Sequence, residues 1–205
     1  AVIQYMFIRK KKRFSEISLD IVNYLILIVI SIVTANKFEV VNKVSKFSLF
    51  EFDYGVLSVV TAFILCDLVL YLFHYVEHRS DILWSLHQVH HSALDISLGT
   101  GLRIPWILYF ITPFYYAPLI YLGYPPLLIM FCKKTILTYQ YWVHQPTRKK
   151  DTTFLKWIFI TPHMHSVHHL AATKYRRGNM GAMFSIWDHM FGTYVDCDED
   201  EKISY

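Results

Sequence analysis

Four stretches of this chain are apolar on every side instead of along one face: Leu19 to Ala35, Tyr54 to Phe73, Ile104 to Leu122 and Pro125 to Val143. Such a run predicts a helix surrounded by apolar matter, either a protein core or lipid. The second stretch carries a single charge, Asp67, and the third carries none, with Pro113 and Pro118 predicting kinks. At about 1.5 Å per residue the third stretch reaches roughly 28 Å, close to the thickness of a bilayer's hydrocarbon layer. Gly123-Tyr124 supplies a turn and Pro125-Pro126 a helix start. The third and fourth stretches therefore predict a tight helical hairpin that either spans a membrane or enters it from one side. Lys133 and Lys134 interrupt the fourth stretch. A charge at mid-membrane is costly, so this helix either faces a polar interior there or stops short of a full span.

Composition agrees with lipid over a soluble core. The chain has 205 residues, enough for one domain, and is 54% hydrophobic and 17% aromatic. One small core could not bury that much apolar surface. The net charge of +4 is mild and indicates no nucleic-acid partner, but its distribution is informative. Five of the Lys and Arg residues lie in Arg9–Arg13, two in 74–103 and eight after 144, against three in the loop 36–53. This bias places both termini and the middle stretch in the cytoplasm, with four crossings. The basic run followed by an apolar one could open a signal peptide, yet no small-residue cleavage site closes it, which favours a retained span. Cys66, Cys132 and Cys197 are far apart and suggest neither a disulfide framework nor a zinc ribbon. The chain begins at Ala1, not Met, and reads as a fragment. The expected fold is all-α: a single integral-membrane domain over residues 1–205, with about four transmembrane segments and residues 151–205 as a soluble cytoplasmic helical cap.

The histidines carry the chemistry. All eleven lie between 74 and 189. His74 and His78 are four apart and share a helix face. His87, His90 and His91 follow an i, i+3, i+4 pattern that predicts one face again, and His165, His168 and His169 repeat it. His144 ends the fourth stretch, with Gln140 one turn earlier. One histidine on an apolar face is commonly a core residue. Three clusters at ligand spacing differ, because imidazoles packed together repel unless kept neutral or bound to metal. Eight ligands, or nine with His144, exceed what one tetrahedral ion takes and fit two metals of higher coordination. Imidazole suits iron, zinc and copper alike.

Other readings use fewer of these residues. His74-Tyr75-Val76-Glu77-His78 matches H-x-x-E-H, a zinc-peptidase motif in which the glutamate is general base, but it leaves the other clusters without a purpose. Axial haem ligands stand on opposite faces of the macrocycle, not one turn apart on one helix. The competing class is a non-catalytic membrane metal-binding or metal-transport protein, whose histidines would be expected near mid-membrane instead of at span ends.

The series His74-x3-His78, His87-x2-His90-His91 and His165-x2-His168-His169 resembles the fatty acid hydroxylase/sterol desaturase superfamily. Asp67, Leu83-Trp84, Ser92, Thr161-Pro162, Asn179-Met180-Gly181, Ser185-Ile186-Trp187-Asp188 and Phe191-Gly192-Thr193-Tyr194 extend the likeness across roughly residues 60–205. Gln88 to Ser92, Gln140 to His144 and Glu201-Lys202 look most like its alkylglycerol monooxygenase branch. Met180, His189 and Lys133-Lys134 depart from the family pattern without touching a ligand motif. The resemblance implies a non-haem centre of two iron ions on the cytoplasmic face. It also implies O₂-dependent hydroxylation or desaturation of a fatty acyl, sterol or ether lipid. The electrons would come from outside, from a tetrahydropterin, a b-type cytochrome or a ferredoxin. His74, His78, His87, His90, His91, His144, His165, His168 and His169 are the expected ligands.

Three polar residues are candidates to support those ligands. Asp67 shares a face with His74 at i+7 and could accept an imidazole N–H. Asn179 could approach the metals or simply form a turn before Gly181, and Asp188 is expected to cap or pair. Glu77 is expected to face solvent or Arg79, with His163 and His189 structural.

Overall fold

The structure is a computed structural model that describes residues 2–33, 43–93, 95–147, 152–170 and 172–197. Within them every regular element is helical, and one isolated bridge pairs Phe159 with Phe184. The longer helices are α1 (Val2–Val33), α2 (Val56–Glu77), α4 (Leu108–Leu122) and α5 (Pro126–Val143). Shorter ones are α3 (Asp81–His87), α6 (Pro162–His168), α7 (Thr173–Arg176) and α8 (Ile186–Phe191). Single 3-10 turns occur at His90–Ser92, Thr100–Leu102 and Phe154–Trp157. The Glu201-Lys202 tail lies outside the described residues, and the loop 36–53 is described from Lys43 onward.

The four apolar stretches all become helix, with two differences from expectation. The first helix starts at Val2, so the basic run is helical and continuous with the apolar stretch. The third starts at Leu108, because Pro105 and the residue before it resist helical backbone, and Ile104–Ile107 forms no helix. Among the described residues α2 alone is long and apolar enough to cross a membrane, while Phe110–Leu122 is apolar but short. By length and composition, one of the four expected spans is therefore clear.

The core joins α2 to the α4–α5 hairpin. Ala62 and Cys66 of α2 and Cys132 of α5 are fully buried, and these small side chains pack among Tyr116, Leu119, Ile129 and Ile136. Phe73 and Tyr115 stack at 3.4 Å between centroids. The hairpin turns at Gly123, whose φ of +124° is open to glycine and where a Cβ would collide with the Phe50 carbonyl. Tyr124 beside it stacks on Phe52 at 4.3 Å and donates its hydroxyl to Thr61. Of the two lysines in α5, Lys133 lies over the Tyr116 ring at 5.6 Å and Lys134 is exposed. Helix α1 is tied on by polar contacts: Asn23 donates to the Leu102 and Ile104 carbonyls, and buried Arg103 pairs with Glu16 and Asp20.

The segment from 152 onward differs from a cap resting on top. Asp67 of α2 accepts the N–H groups of Met183 (2.8 Å) and Phe184 (3.2 Å) and the indole N–H of Trp187 (2.8 Å). Residues 183–193 therefore run alongside α2 instead of sitting only at its end.

Candidate metal centre

Local structure aims the imidazoles. The last turn of α2 carries His74, and His78 caps that helix. Ser80 caps α3, which ends at His87, and the chain tightens to a 3-10 turn that swings His90 away from His91. Thr161 caps α6 by accepting the Met164 N–H, and Pro162 at the first helical position fixes its start. His144 follows the last turn of α5.

All nine expected ligands converge, in two adjacent groups. His74, His78, His87, His91 and His168 form the first, and His90, His144, His165 and His169 the second. Within each group the candidate ligand nitrogens lie within 4.8 Å of one another. The groups touch where His91 stacks on His169, with centroids 4.3 Å apart. The triads do not each present one face, as their spacing predicts. Positions four apart stay together, His87 with His91 and His165 with His169, while His90 and His168 cross to the other group. The 3-10 turn at His90–Ser92 is the physical reason for the first crossing.

The donor set fits cations. His74 Nδ1 is 2.9 Å from the Met180 carbonyl, His168 Nδ1 2.7 Å from that of Gly178, and His144 Nδ1 2.6 Å from that of Gln140. A carbonyl only accepts, so each Nδ1 holds the proton and each Nε2 presents a lone pair. His144 Nε2 faces His90 Nε2 at 3.1 Å and His165 Nε2 at 2.9 Å, and His74 Nε2 faces His78 Nε2 at 3.1 Å. The Nε2 atoms of His87, His91 and His168 are buried without a hydrogen-bond partner, as are Nδ1 of His78, His90 and His165. Lone pairs crowded in a buried space are costly unless a cation accepts them.

Burial first, and then neighbouring imidazoles, hold His90, His91, His165 and His169 well below the ordinary imidazole range. Burial and His74 do the same to His168 against the opposing bond to Gly178. Burial lowers His144 to about 4, again against its carbonyl bond. These rings are therefore neutral at physiological pH, the form in which imidazole binds metal.

Glu77 contacts the first histidine group. It does not face solvent or Arg79 but is buried, with Oε2 3.1 Å from His87 Nδ1. Arg79 lies instead over the Tyr75 ring at 4.7 Å. The signal was present in the sequence: His74, Glu77 and His78 stand at i, i+3 and i+4 and so share a helix face.

Asp67, Asn179 and Asp188 act at one remove, with no hydrogen bond to an imidazole. Asp67 lies about 10 Å along the helix from His74, too far to touch it. Asp188 accepts from the Met180 and Gly181 N–H groups (2.6 and 2.9 Å) and from Thr193 Oγ1 (2.6 Å). Asn179 takes the turn role, at φ 53°, donating to the Met164 and Val195 carbonyls and accepting the Val195 N–H. Together they fix the loop 178–184, whose carbonyls at Gly178 and Met180 orient His168 and His74. Gln140 joins by donating to Ala182 O. His163 bonds Asp196 at 3.4 Å and His189 stacks between Trp157 and Tyr194, both outside the two groups.

A cleft of about 720 Å³ opens beside the last turn of α5 and the start of α6, lined by residues including Tyr139, Trp142, Gln145, Thr161, His163 and Met183.

The chain is 35% identical to alkylglycerol monooxygenase of Xenopus tropicalis over 139 residues, covering 68% of the chain and 30% of that protein. The figures are 37% over 144 residues for the Danio rerio protein (70% and 31%) and 34% over 145 for that of Homo sapiens (71% and 32%). The chain thus spans about a third of the length of these relatives. No solved structure matches it. Residues 59–193, which hold all nine converging histidines, match the fatty acid hydroxylase family, and the chain belongs to that family.

Proposed function

We propose that this chain is the catalytic core of a membrane monooxygenase that oxidises a lipid C–H bond, with an alkylglycerol-type ether lipid as the first substrate to test. The observation that carries the reading is the convergence of nine imidazoles, most of them buried, in two touching groups. The first group would hold one iron ion through His74, His78, His87, His91 and His168, and the second group another through His90, His144, His165 and His169. When bound, two iron ions would supply O₂ activation and oxidation of an unactivated C–H bond. Insertion of one oxygen atom and reduction of the other to water needs two electrons and two protons, drawn from a reduced pterin or an electron-transfer protein.

The chain's own residues supply position and environment. Met180 O, Gly178 O, Gln140 O and Glu77 fix ring orientation, so that the ligands need little rearrangement to bind. Burial excludes water from the reacting centre. The cleft beside α5 sets Trp142, Tyr139 and Met183 against Gln145 and Thr161, a lining suited to an apolar chain with a polar end. Transport is disfavoured, because both groups lie where α2 and α5 end, and the described spans carry few polar residues beyond Asp67 and Lys133-Lys134.

Cells expressing the chain, supplied with ether lipid and reduced pterin, should accumulate oxygen-dependent hydroxylated or cleaved lipid by mass spectrometry. The product should vanish in His168→Ala while the protein stays in the membrane. Metal uptake with no oxidised lipid, across a broad lipid panel and several electron donors, would overturn the reading.

We further propose four crossings with the metal centre cytoplasmic. A cysteine at Lys43 should then react with an impermeant maleimide from outside intact cells, and one at Lys174 should not. The reverse pattern would place the centre on the other side.

A further inference from the structure

The outer face of α8 is apolar where a soluble cap would be polar. Met190 is 66% exposed, Phe191 53% and Ile186 42%. Beside it Phe154 is 70% exposed and Trp157 57%, and the Trp157 ring stacks on His189 of α8 at 4.6 Å, making one surface.

Helix α2 fixes the depth of that surface. Trp187 is bound to Asp67, the Phe191 ring stacks on Tyr71 at 5.4 Å, and Tyr71 shares a hydrogen bond with Thr193 at 2.9 Å. Tyr71 and Asp67 lie about 5 and 10 Å nearer the middle of α2 than His74 does. The α8 segment thus runs beside the apolar span, below the histidines. The span's exposed stripe, Val60, Ile64, Leu72 and Val76, passes next to it, and Leu68 between them packs against the cluster of Tyr71, Met180 and Trp187. The face of α8 continues the outer surface of α2.

Irregular backbone survives at membrane depth when its polar groups are satisfied within the protein. Five N–H groups of this segment are satisfied in that way. The N–H groups of Met180 and Gly181 go to the Asp188 carboxylate, those of Met183 and Phe184 to Asp67, and that of Ser185 to the Ile158 carbonyl. Two buried carboxylates that bond no imidazole thereby acquire a purpose.

We propose that α8 and the Phe154–Trp157 turn are embedded in the bilayer, at the boundary between headgroups and acyl chains, with lipid chains covering Ile186, Met190, Phe191, Phe154 and Trp157. This inference rests on α2 being a membrane span and not on the metal centre. Its continuity with the α2 surface favours lipid over a second copy of the chain.

The test attaches a bimane fluorophore to cysteine at Met190 or, separately, Ile186 in the chain reconstituted in phosphatidylcholine vesicles. The native cysteines are all buried, and the unsubstituted protein sets the labelling background. Lipids with nitroxide on the acyl chain should quench both positions several-fold more than aqueous iodide does, and a Lys174→Cys control should show the reverse. Iodide quenching equal to that control would overturn the proposal. So would cysteine cross-linking of Met190 between two copies with no quenching by lipid. A Leu72→Cys label on α2 separates the causes: if it too responds to iodide, the span reading has failed.

Discussion

Alanine at His90 is expected to reduce bound iron from two ions per chain to about one and to abolish lipid oxidation. His90 Nε2 faces His144 Nε2 at 3.1 Å in the four-membered group, so its removal leaves three imidazoles around that position. The five-membered group keeps all its members, which is why one ion should remain. Glu77→Gln should act more mildly and on the other ion. It keeps the shape but removes the charge that accepts the His87 N–H, and losing such a partner typically weakens metal affinity by about 10–100-fold. His189→Ala should change neither metal content nor turnover, because that ring lies against Trp157 and Tyr194. Metal analysis of purified variants with lipid mass spectrometry checks the series. Equal metal loss from His189→Ala and His90→Ala would remove the assignment.

Much of this centre was legible from spacing alone. Ligands on one helix recur at i+3 and i+4, and that spacing marks eight of the nine side chains, with His144 added by its place at the end of the fourth stretch. The rule was silent on partition, because it assumes continuous helix. His87, His90 and His91 divide between the groups since α3 ends at His87 and a 3-10 turn follows, and no hydrophobic period marks that change. Asp67 illustrates the opposite error. Counting i+7 places it on the histidine face, but seven residues are about 10 Å of helix axis, and its carboxylate binds the Met183–Trp187 segment instead. Glu77 was legible on the same face and passed over, because a glutamate near a span end reads by default as solvated. The hairpin's depth depended on Pro105, which withholds Ile104–Ile107 from the helix. The path of residues 183–193 along α2 was beyond reach, since it is set by long-range bonds that no local pattern records.

Metal-free protein should lose stability as pH falls from about 6.5 toward about 4, and iron should leave the folded centre only as pH reaches about 4 and below, with more than one proton taken up per ion released. An unfolded imidazole titrates near 6.5, whereas burial holds His144 at about 4 and burial with neighbouring rings lowers His90, His91, His165 and His169. The folded chain thus keeps these rings neutral in a range where the unfolded chain has protonated them. Below about 6.5 the unfolded state binds more protons, so stability rises with pH there; it is lost as pH falls from about 6.5, and the loss levels off below the folded values. Metal binding has the same sign, because protons and cations compete for the same Nε2 lone pairs. Dialysis across a pH series, followed by metal analysis, gives the retention curve, and thermal unfolding of metal-free protein gives the second measure. His144→Ala removes one of the four imidazoles of the second group and should leave that ion weakly held at every pH. Iron released already near pH 6.5, where the folded chain keeps these rings neutral, or a curve with the slope of a single proton, would mean that buried imidazoles are not what holds the metal.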